Sequence, residues 1–242
     1  MGAIEAVRKG FIAVNRNLSL VLILFIYSLV GNFINVRLTG EPAVSLTTQI
    51  IWLISIGILI LVDIFFQGGI LGTVRDYLKE GKAGLPGFTR YGLKYYLRLL
   101  GLGVMIIIGG IVALLVAFLV MSVAVFLKWI IVGGITALVL AGIGLYWVLL
   151  LAVMSPYAIV CKELSVITAM AESVNIARRA INKVASLFLI IVLISIVWTV
   201  ALMLIPSGNQ ALIIIVTSAF NGYFGIMIPA SFMSLYLSLT AK

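Results

Sequence analysis

Asp63 is the residue whose position in this chain most plainly allows chemistry. It lies within the apolar stretch 51–72, about twelve residues before Arg75, which is roughly 18 Å along an α-helix at 1.5 Å per residue. Gln67 follows one turn later on the same face. A charged carboxylate deep in a bilayer is costly, so it should be protonated, paired or exposed to water. Three interpretations stay open: a proton- or cation-responsive site, a neutral carboxyl group bonded to a neighbouring helix, and a position near the headgroups if Gly68 ends the span.

Further polar or helix-bending residues are spread over other apolar stretches. Asn32 and Asn221 are polar positions in otherwise apolar segments, where hydrogen bonds between helices contribute about 0.6–2 kcal/mol. Glycine lets a membrane helix bend or approach a neighbour closely, and an internal proline removes a backbone donor and favours a kink. The residues to which we assign these properties are Gly68, Gly69, Pro156 and Pro229.

The residue types that most enzyme sites need are scarce. The 242 residues include no histidine, one cysteine and seven carboxylates. Without histidine there is no Ser–His dyad, no His-ligated metal and no histidine haem ligand. An intramembrane aspartyl dyad needs a second deep carboxylate, but Asp76 lies beside Arg75. We therefore expect no enzyme, no metal and no cofactor, with lipid chemistry carried by the substrate's own groups as the remaining enzymatic alternative.

The composition indicates that lipid rather than water surrounds most of the chain. Hydrophobic residues make up 64% of the sequence and charged residues 10%, against roughly a quarter charged in soluble domains. A spanning helix needs about 20 mostly apolar residues. We therefore predict an all-α, polytopic membrane protein with about six transmembrane helices in a single integral membrane domain, residues 1–242. The predicted spans lie near 18–36, 48–72, 100–127, 130–155, 184–205 and 211–238.

The basic residues predict the orientation of these spans. A formal net charge of +9 could suggest nucleic acid, but the cations flank apolar spans, as the positive-inside rule requires. With six spans, fourteen of the sixteen Lys and Arg residues share one side, and only Arg37 and Lys128 lie opposite. We therefore expect a protein of the cell membrane with both termini in the cytoplasm and no nucleic-acid partner.

Three cytoplasmic-side segments ahead of the odd-numbered spans are predicted to be amphipathic helices: residues 2–17, 88–99 and 165–183. Such helices can rest at the interface with their basic side chains among anionic headgroups. Alternatively they pack on their own spans and the charges are only solvated. The candidate contacts with anionic lipid are Arg90, Lys94, Arg98, Arg178, Arg179 and Lys183.

An internal repeat follows from the same pattern. Each amphipathic segment precedes a pair of spans, which divides the chain into units 1–82, 83–163 and 164–242. Units with two spans each share one orientation, as in parallel transporter repeats. The alternative is that the pattern reflects helical-hairpin architecture alone.

A family resemblance rests on the segment after the fourth span and on residues 69–79 with the basic helix that follows them. The residues in the first segment are 155–160, Lys162, Glu163, Ser165, Ala169, Ser173, Arg178 and Arg179. With these residues the chain resembles uncharacterised prokaryotic six-span membrane domains, similar to the membrane domain attached to some glycerophosphoryl diester phosphodiesterases. The resemblance implies a membrane module without an established activity, so no catalytic residues carry over and hydrolysis is not implied.

Two functions remain from different classes. The first is a non-catalytic membrane module that binds lipid, another membrane protein or a second copy of the chain. The second is a small transporter or channel whose path runs between the three helical hairpins and includes Asp63 as a proton- or cation-responsive site. Asp63, Gln67 and Asn221 are the candidate intramembrane polar residues. Because polar residues within the spans are few, the sequence narrowly favours the module.

Overall fold

Helices make up nearly all of the chain that the structure describes. The structure is a computed structural model, and it describes residues 1–39, 46–81, 84–205 and 209–241. Within these ranges it contains α-helices and no β-strand, which confirms the all-α prediction. The helices are α1 (Ala3–Asn15), α2 (Leu18–Thr39), α3 (Leu46–Glu80), α4 (Leu85–Phe126), α5 (Ile130–Ala152), α6 (Ser155–Lys162), α7 (Val166–Arg179), α8 (Ile181–Met203) and α9 (Gln210–Thr240).

Several of these helices have the length and hydropathy of membrane spans. Among the described residues, α3, α4, α5 continued by α6, α8 and α9 are each long and apolar enough to cross a bilayer. The pair α1 and α2 adds a sixth if it counts as one span, although the two helices meet at 86°. The prediction of about six spans agrees with this count of five or six. The predicted boundary between the third and fourth spans also agrees, because α4 ends at Phe126 and α5 begins at Ile130.

Helix α4 differs from its prediction. Residues 88–99 were expected to form a separate amphipathic helix, but they are the first turns of one continuous 42-residue helix. Its one proline, Pro86, lies in the first turn, where a missing backbone N–H is tolerated. The amphipathic pattern itself is present, because Phe88 and Tyr95 are buried while Arg90 and Lys94 are exposed. The change from an amphipathic to an apolar sequence therefore does not interrupt the backbone.

The chain forms two compact units that do not coincide with the predicted thirds. The first unit combines residues 1–96 with 180–242, and the second comprises residues 97–179. The predicted boundary at residues 82 and 83 lies outside the described residues. The threefold repeat and the single-domain assignment stay predictions.

Helix α9 is the centre of the first unit and packs against α1, α2, α3 and α8. Its second half carries most of the buried side chains of that helix, among them Met227, Ala230 and Leu235. Glycines allow the closest approaches. A Cβ atom on Gly222 would lie 2.9 Å from the carbonyl oxygen of Val21, and one on Gly10 would collide with the Ser231 hydroxyl group. The α2–α9 and α1–α9 contacts therefore depend on residues without a side chain.

The second unit contains an interrupted helix. Helix α5 ends at Ala152 and α6 begins at Ser155, with Pro156 in its first turn. This interruption leaves one backbone N–H and one backbone carbonyl that need partners, and the Ser173 hydroxyl group of α7 bonds to both. It accepts from the Met154 N–H at 3.0 Å and donates to the Leu150 carbonyl oxygen at 2.7 Å. Because the residues are buried, this serine satisfies groups that would otherwise be costly to leave unpaired.

The turn between α4 and α5 has the hydrogen bonds of a Schellman motif. The Trp129 N–H donates to the Ala124 carbonyl oxygen at 2.8 Å, and the Lys128 N–H donates to the Val125 carbonyl oxygen at 3.1 Å. Lys128 has a φ of 62°, in the left-handed region that glycine usually occupies. A lysine therefore closes the helix at a position that favours glycine.

Candidate functional site

A pocket of about 670 Å³ lies between α2, α3 and α9 in the first unit. Its volume falls within the roughly 300–1,000 Å³ that small-molecule sites usually have. Apolar side chains form much of its lining. The polar residues that line it are Tyr27, Ser28, Asn32, Asp63, Gln67 and Asn221.

Helical spacing explains why these side chains converge. Asp63 and Gln67 are four residues apart on α3, and Ser28 and Asn32 are four residues apart on α2, so each pair shares a face. Asp63 lies midway along its helix, 17 residues after Leu46 and 17 before Glu80. Side chains from α2, α3 and α9 therefore line a pocket near the middle of α3.

Amide and hydroxyl groups join α2 to α9 beside the pocket. The Asn32 Nδ2 atom donates to the Ser218 Oγ atom at 3.0 Å and to the Ser28 Oγ atom at 3.3 Å. The Asn221 Nδ2 atom donates to the same Ser28 oxygen at 3.0 Å. Both asparagines therefore hold the helices together, in addition to lining the pocket.

Tyr27 of α2 is the aromatic neighbour of Asp63 of α3 in the pocket. The Tyr27 hydroxyl group donates to the Leu59 carbonyl oxygen at 3.3 Å and also interacts with the Asp63 carboxyl group. The Tyr27 ring stacks on Phe66, with 4.4 Å between ring centroids. The Asp63 and Gln67 side chains are both exposed. The described part of the pocket lining includes neither Lys nor Arg.

Gly68 and Gly69 lie where α3 crosses the beginning of α4. A Cβ atom on Gly68 would lie 3.3 Å from the carbonyl oxygens of Tyr91 and Gly92, and one on Gly69 would lie 2.7 Å from the Phe88 ring. Helix α3 continues unbroken through both glycines to Glu80. The glycines thus permit close approach, and Gly68 does not end the helix.

The two prolines occupy different environments. Pro229 lies inside α9 and lines the pocket, one helical turn after Gly225, which lines it as well. Pro156 belongs to the second unit and lies in the first turn of α6. Only Pro229 therefore belongs to the pocket.

Asp76, the other carboxylate of α3, belongs to a separate polar cluster near the end of that helix. The Arg75 guanidinium group donates to the Asp76 Oδ1 atom through Nε at 3.0 Å and Nη2 at 2.9 Å, and its Nη1 atom donates to the Tyr95 hydroxyl oxygen at 2.8 Å. The Tyr91 hydroxyl group donates to the other carboxylate oxygen of Asp76. These bonds join α3 to α4. The Asp76 carboxylate is thus bonded to Arg75 and Tyr91, and not to a second aspartate.

The predicted lipid contacts are divided between the two units. Arg90, Lys94 and Lys183 belong to the first unit, and Arg98, Arg178 and Arg179 belong to the second. All six side chains are exposed. Two of them also bond within the second unit. Arg98 donates to the Glu163 carbonyl oxygen at 2.8 Å, and the Arg178 guanidinium group lies 4.7 Å from the centroid of the Trp147 ring.

The described residues contain no group of three or more His, Cys, Asp or Glu side chains that could hold a metal ion. The described lining of the pocket has one carboxylate together with amide, hydroxyl and aromatic groups. It is therefore suited to binding a small molecule through one charge and several hydrogen bonds.

Comparison with known proteins places the chain in a family. Residues 1–238 match a family described as a domain of unknown function, DUF7847. The chain belongs to the DUF7847 family. No curated protein and no solved structure matches the chain. The family description states no activity, so the resemblance of this DUF7847 chain to membrane domains of phosphodiesterases stays a prediction.

Two polar residues of the pocket, Tyr27 and Ser28, were not predicted from the sequence. The spacing of Ser28 and Asn32, one helical turn apart in an apolar segment, is a signal that matches Asp63 and Gln67 on α3. Tyr27 carried no comparable signal, because single tyrosines are frequent in membrane helices.

Proposed function

We propose that the DUF7847 chain spans the cell membrane with about six helices, has both termini in the cytoplasm, and moves a small solute through the pocket that contains Asp63. The observation that supports this proposal best is the pocket itself. It brings the Asp63 carboxyl group together with amides from two other helices.

Exposed apolar side chains support membrane insertion. No residue in the apolar window of α3 is buried, and only 6% of the corresponding window of α4 is. Apolar surfaces of this extent are rarely exposed to water in soluble proteins, and lipid is a solvent that accepts them. The charge distribution supports the orientation, because fourteen of the sixteen basic residues then face the cytoplasm.

The pocket lining supports transport over a packing role alone. Asn32 and Asn221 have hydrogen-bond partners on neighbouring helices, which is sufficient for packing. Asp63 and Gln67 remain exposed and line a space large enough for a solute. Ionisable side chains within membrane segments usually face a water-filled cavity and mark solute or ion pathways.

Thiol labelling tests whether water enters the pocket. Replacing Cys161 by Ser removes the native thiol, and Gln67→Cys then places one thiol in the pocket. Hydroxyethyl methanethiosulfonate, a neutral reagent, reacts with the thiolate, which forms readily only in water. We expect Gln67→Cys to react at least about tenfold faster than Leu114→Cys, an exposed apolar position on α4. Equal, slow rates at both positions would refute the proposed pathway.

A charged, impermeant thiol reagent tests the orientation in intact cells or oriented vesicles. Lys94→Cys and Arg179→Cys should react from the cytoplasmic side and Lys128→Cys from the outside. Labelling of Lys94→Cys and Arg179→Cys from opposite sides would contradict the proposed topology.

Binding of anionic lipid is the second candidate function, and the exposed face of α4 favours it. Arg90 and Lys94 are exposed beside Leu93, whose side chain is 68% exposed. Basic and apolar side chains on one exposed surface suit the headgroup region of an anionic leaflet. Contact with another membrane protein or a second copy stays a prediction.

A paired substitution tests lipid binding without disturbing the Arg98–Glu163 contact. Arg90→Gln with Lys94→Gln should weaken the salt-sensitive binding of short-chain phosphatidylglycerol to the detergent-solubilised protein, because each cation near an anionic surface contributes about 1 kcal/mol. Lys128→Gln serves as the control with one charge removed elsewhere. Equal lipid affinity of the double variant and the control would exclude this function.

A further inference from the structure

The hydrogen bonds around the pocket leave an excess of acceptors. The amide nitrogens of Asn32 and Asn221 both donate to serine hydroxyl groups of neighbouring helices. An amide that uses its nitrogen in this way retains a carbonyl oxygen with two lone pairs. Asp63 adds carboxylate oxygens, and Gln67 adds an amide oxygen together with two N–H donors, so acceptor sites still outnumber donors. A ligand that brings hydrogen-bond donors and positive charge is complementary to this set.

Pro229 adds a backbone acceptor to the same wall. In an α-helix the N–H of each residue donates to the carbonyl oxygen four residues earlier, and proline has no N–H. The proline inside α9 therefore cannot supply the N–H that the Gly225 carbonyl oxygen would ordinarily accept. Gly225 and Pro229 both line the pocket. Membrane transporters use backbone carbonyls released from helical bonding to hold cations.

The charge and size of the pocket limit the kind of cation. Among the described residues that line it there is one carboxylate and neither Lys nor Arg, so a ligand with one positive charge complements this lining. A multivalent metal ion would need more anionic ligands than this lining offers. A bare monovalent ion would occupy a small part of about 670 Å³, a space equal to roughly twenty water molecules at ~30 Å³ each.

The rest of the lining is suited to an apolar body. Leu24, Ile60 and Ile64 line the pocket together with Tyr27 and Phe66, whose rings are stacked on one another. Aliphatic and aromatic walls with a few polar groups are typical of sites for small organic ligands. A cation with an apolar portion would therefore contact both parts of the lining.

We propose that the ligand is an organic ammonium ion, with its –NH₃⁺ group directed to Asp63 and the Gly225 carbonyl oxygen and its apolar body against α2 and α3. This inference rests on the proposed function, because it names the solute that the pocket takes. An ammonium group has three donors and no acceptor, which matches the excess of acceptors in the lining.

Protection of the Gln67→Cys thiol tests this assignment in the full chain, reconstituted in nanodiscs with Cys161→Ser. The probes are phenethylammonium, the neutral 2-phenylethanol and the anionic 3-phenylpropionate. We expect phenethylammonium to slow labelling by hydroxyethyl methanethiosulfonate at a concentration at least about tenfold lower than the other two, since a hydrogen bond to a charged group contributes roughly 1.5–3 kcal/mol. Equal protection by the ammonium ion and the alcohol would overturn the assignment.

Two substitutions locate the ammonium group. Asp63→Asn should remove the advantage of phenethylammonium and leave protection by 2-phenylethanol unchanged. Pro229→Ala supplies an N–H to the Gly225 carbonyl oxygen and should weaken protection by phenethylammonium several-fold, whereas Pro156→Ala, in the second unit, should not. An unchanged Asp63→Asn variant would refute the charge recognition, and an unchanged Pro229→Ala variant would refute the role of the carbonyl oxygen.

The same assay separates this inference from the proposed function. If Gln67→Cys reacts rapidly but no probe distinguishes charge, the pocket is open to water and only the ammonium assignment is wrong. If Gln67→Cys does not react at all, the pathway itself is wrong and the assignment falls with it.

Discussion

The contact between α2 and α9 at Gly222 is tight enough for one methyl group to disturb it. A Cβ atom there would lie 2.9 Å from the Val21 carbonyl oxygen and 3.0 Å from the Phe25 backbone nitrogen, whereas ordinary contacts begin at 3.4 Å. Both neighbours are backbone atoms, so no side chain can turn away. Gly222→Ala must therefore displace one helix by about half an ångström, a form of overpacking that costs about 1–3 kcal/mol.

Gly31→Ala is the matched control on the facing helix. A Cβ atom at Gly31 meets no heavy atom within 4 Å, so that variant gains the helix propensity of alanine without a clash. At roughly 2–4 °C per kcal/mol for a chain of this size, Gly222→Ala should melt about 2–12 °C below Gly31→Ala. Thermal unfolding followed by fluorescence-detected size exclusion in one detergent measures this difference. Equal melting temperatures would show that α2 and α9 do not cross at Gly222.

Two further predictions concern hydrogen bonds within each unit. Ser173→Ala leaves a buried N–H and a buried carbonyl at the α5–α6 break without their partner, and it should lower the free energy of unfolding by about 1–3 kcal/mol. Ser122→Ala, at an exposed position, should change it by no more than about 0.5 kcal/mol. The same thermal assay compares the two variants, and equal melting temperatures would contradict the Ser173 contact. Tyr91→Phe removes the donor to Asp76 and should cost roughly 0.5–1.5 kcal/mol, against little change for the exposed Tyr146→Phe; a variant as stable as wild type would show that this bond does not hold α3 to α4.

The length and position of the apolar helices could be predicted because hydropathy is a local property. The turn at residues 126–129 was predictable in the same way, since Lys128 interrupts an apolar stretch. The continuity of α4 could not be predicted from hydropathy. A sequence that changes from amphipathic to apolar indicates a change of surroundings, and the backbone hydrogen bonds of a helix do not depend on those surroundings.

The pocket was predictable only in part, because its helices are apolar on all sides. An amphipathic helix shows by its 3.6-residue pattern which face is buried, and α2, α3 and α9 lack that pattern. Asp63 and Gln67 were recognisable as rare polar residues in such a helix. Asn32 and Asn221 were recognisable in the same way, but the partners of these residues on other helices were not, because the hydrogen bond from Asn32 to Ser218 joins residues 186 positions apart in sequence.

Lys128 limits how deep the tip of the α4–α5 hairpin can settle. Its left-handed backbone costs roughly 1 kcal/mol relative to glycine, and that conformation leaves it between two apolar helices with Trp129 next to it. Drawing the ammonium group into hydrocarbon would cost about 2.5–3.5 kcal/mol, more than the strained backbone does. In the proposed membrane topology the tip of the hairpin is therefore anchored at the aqueous boundary.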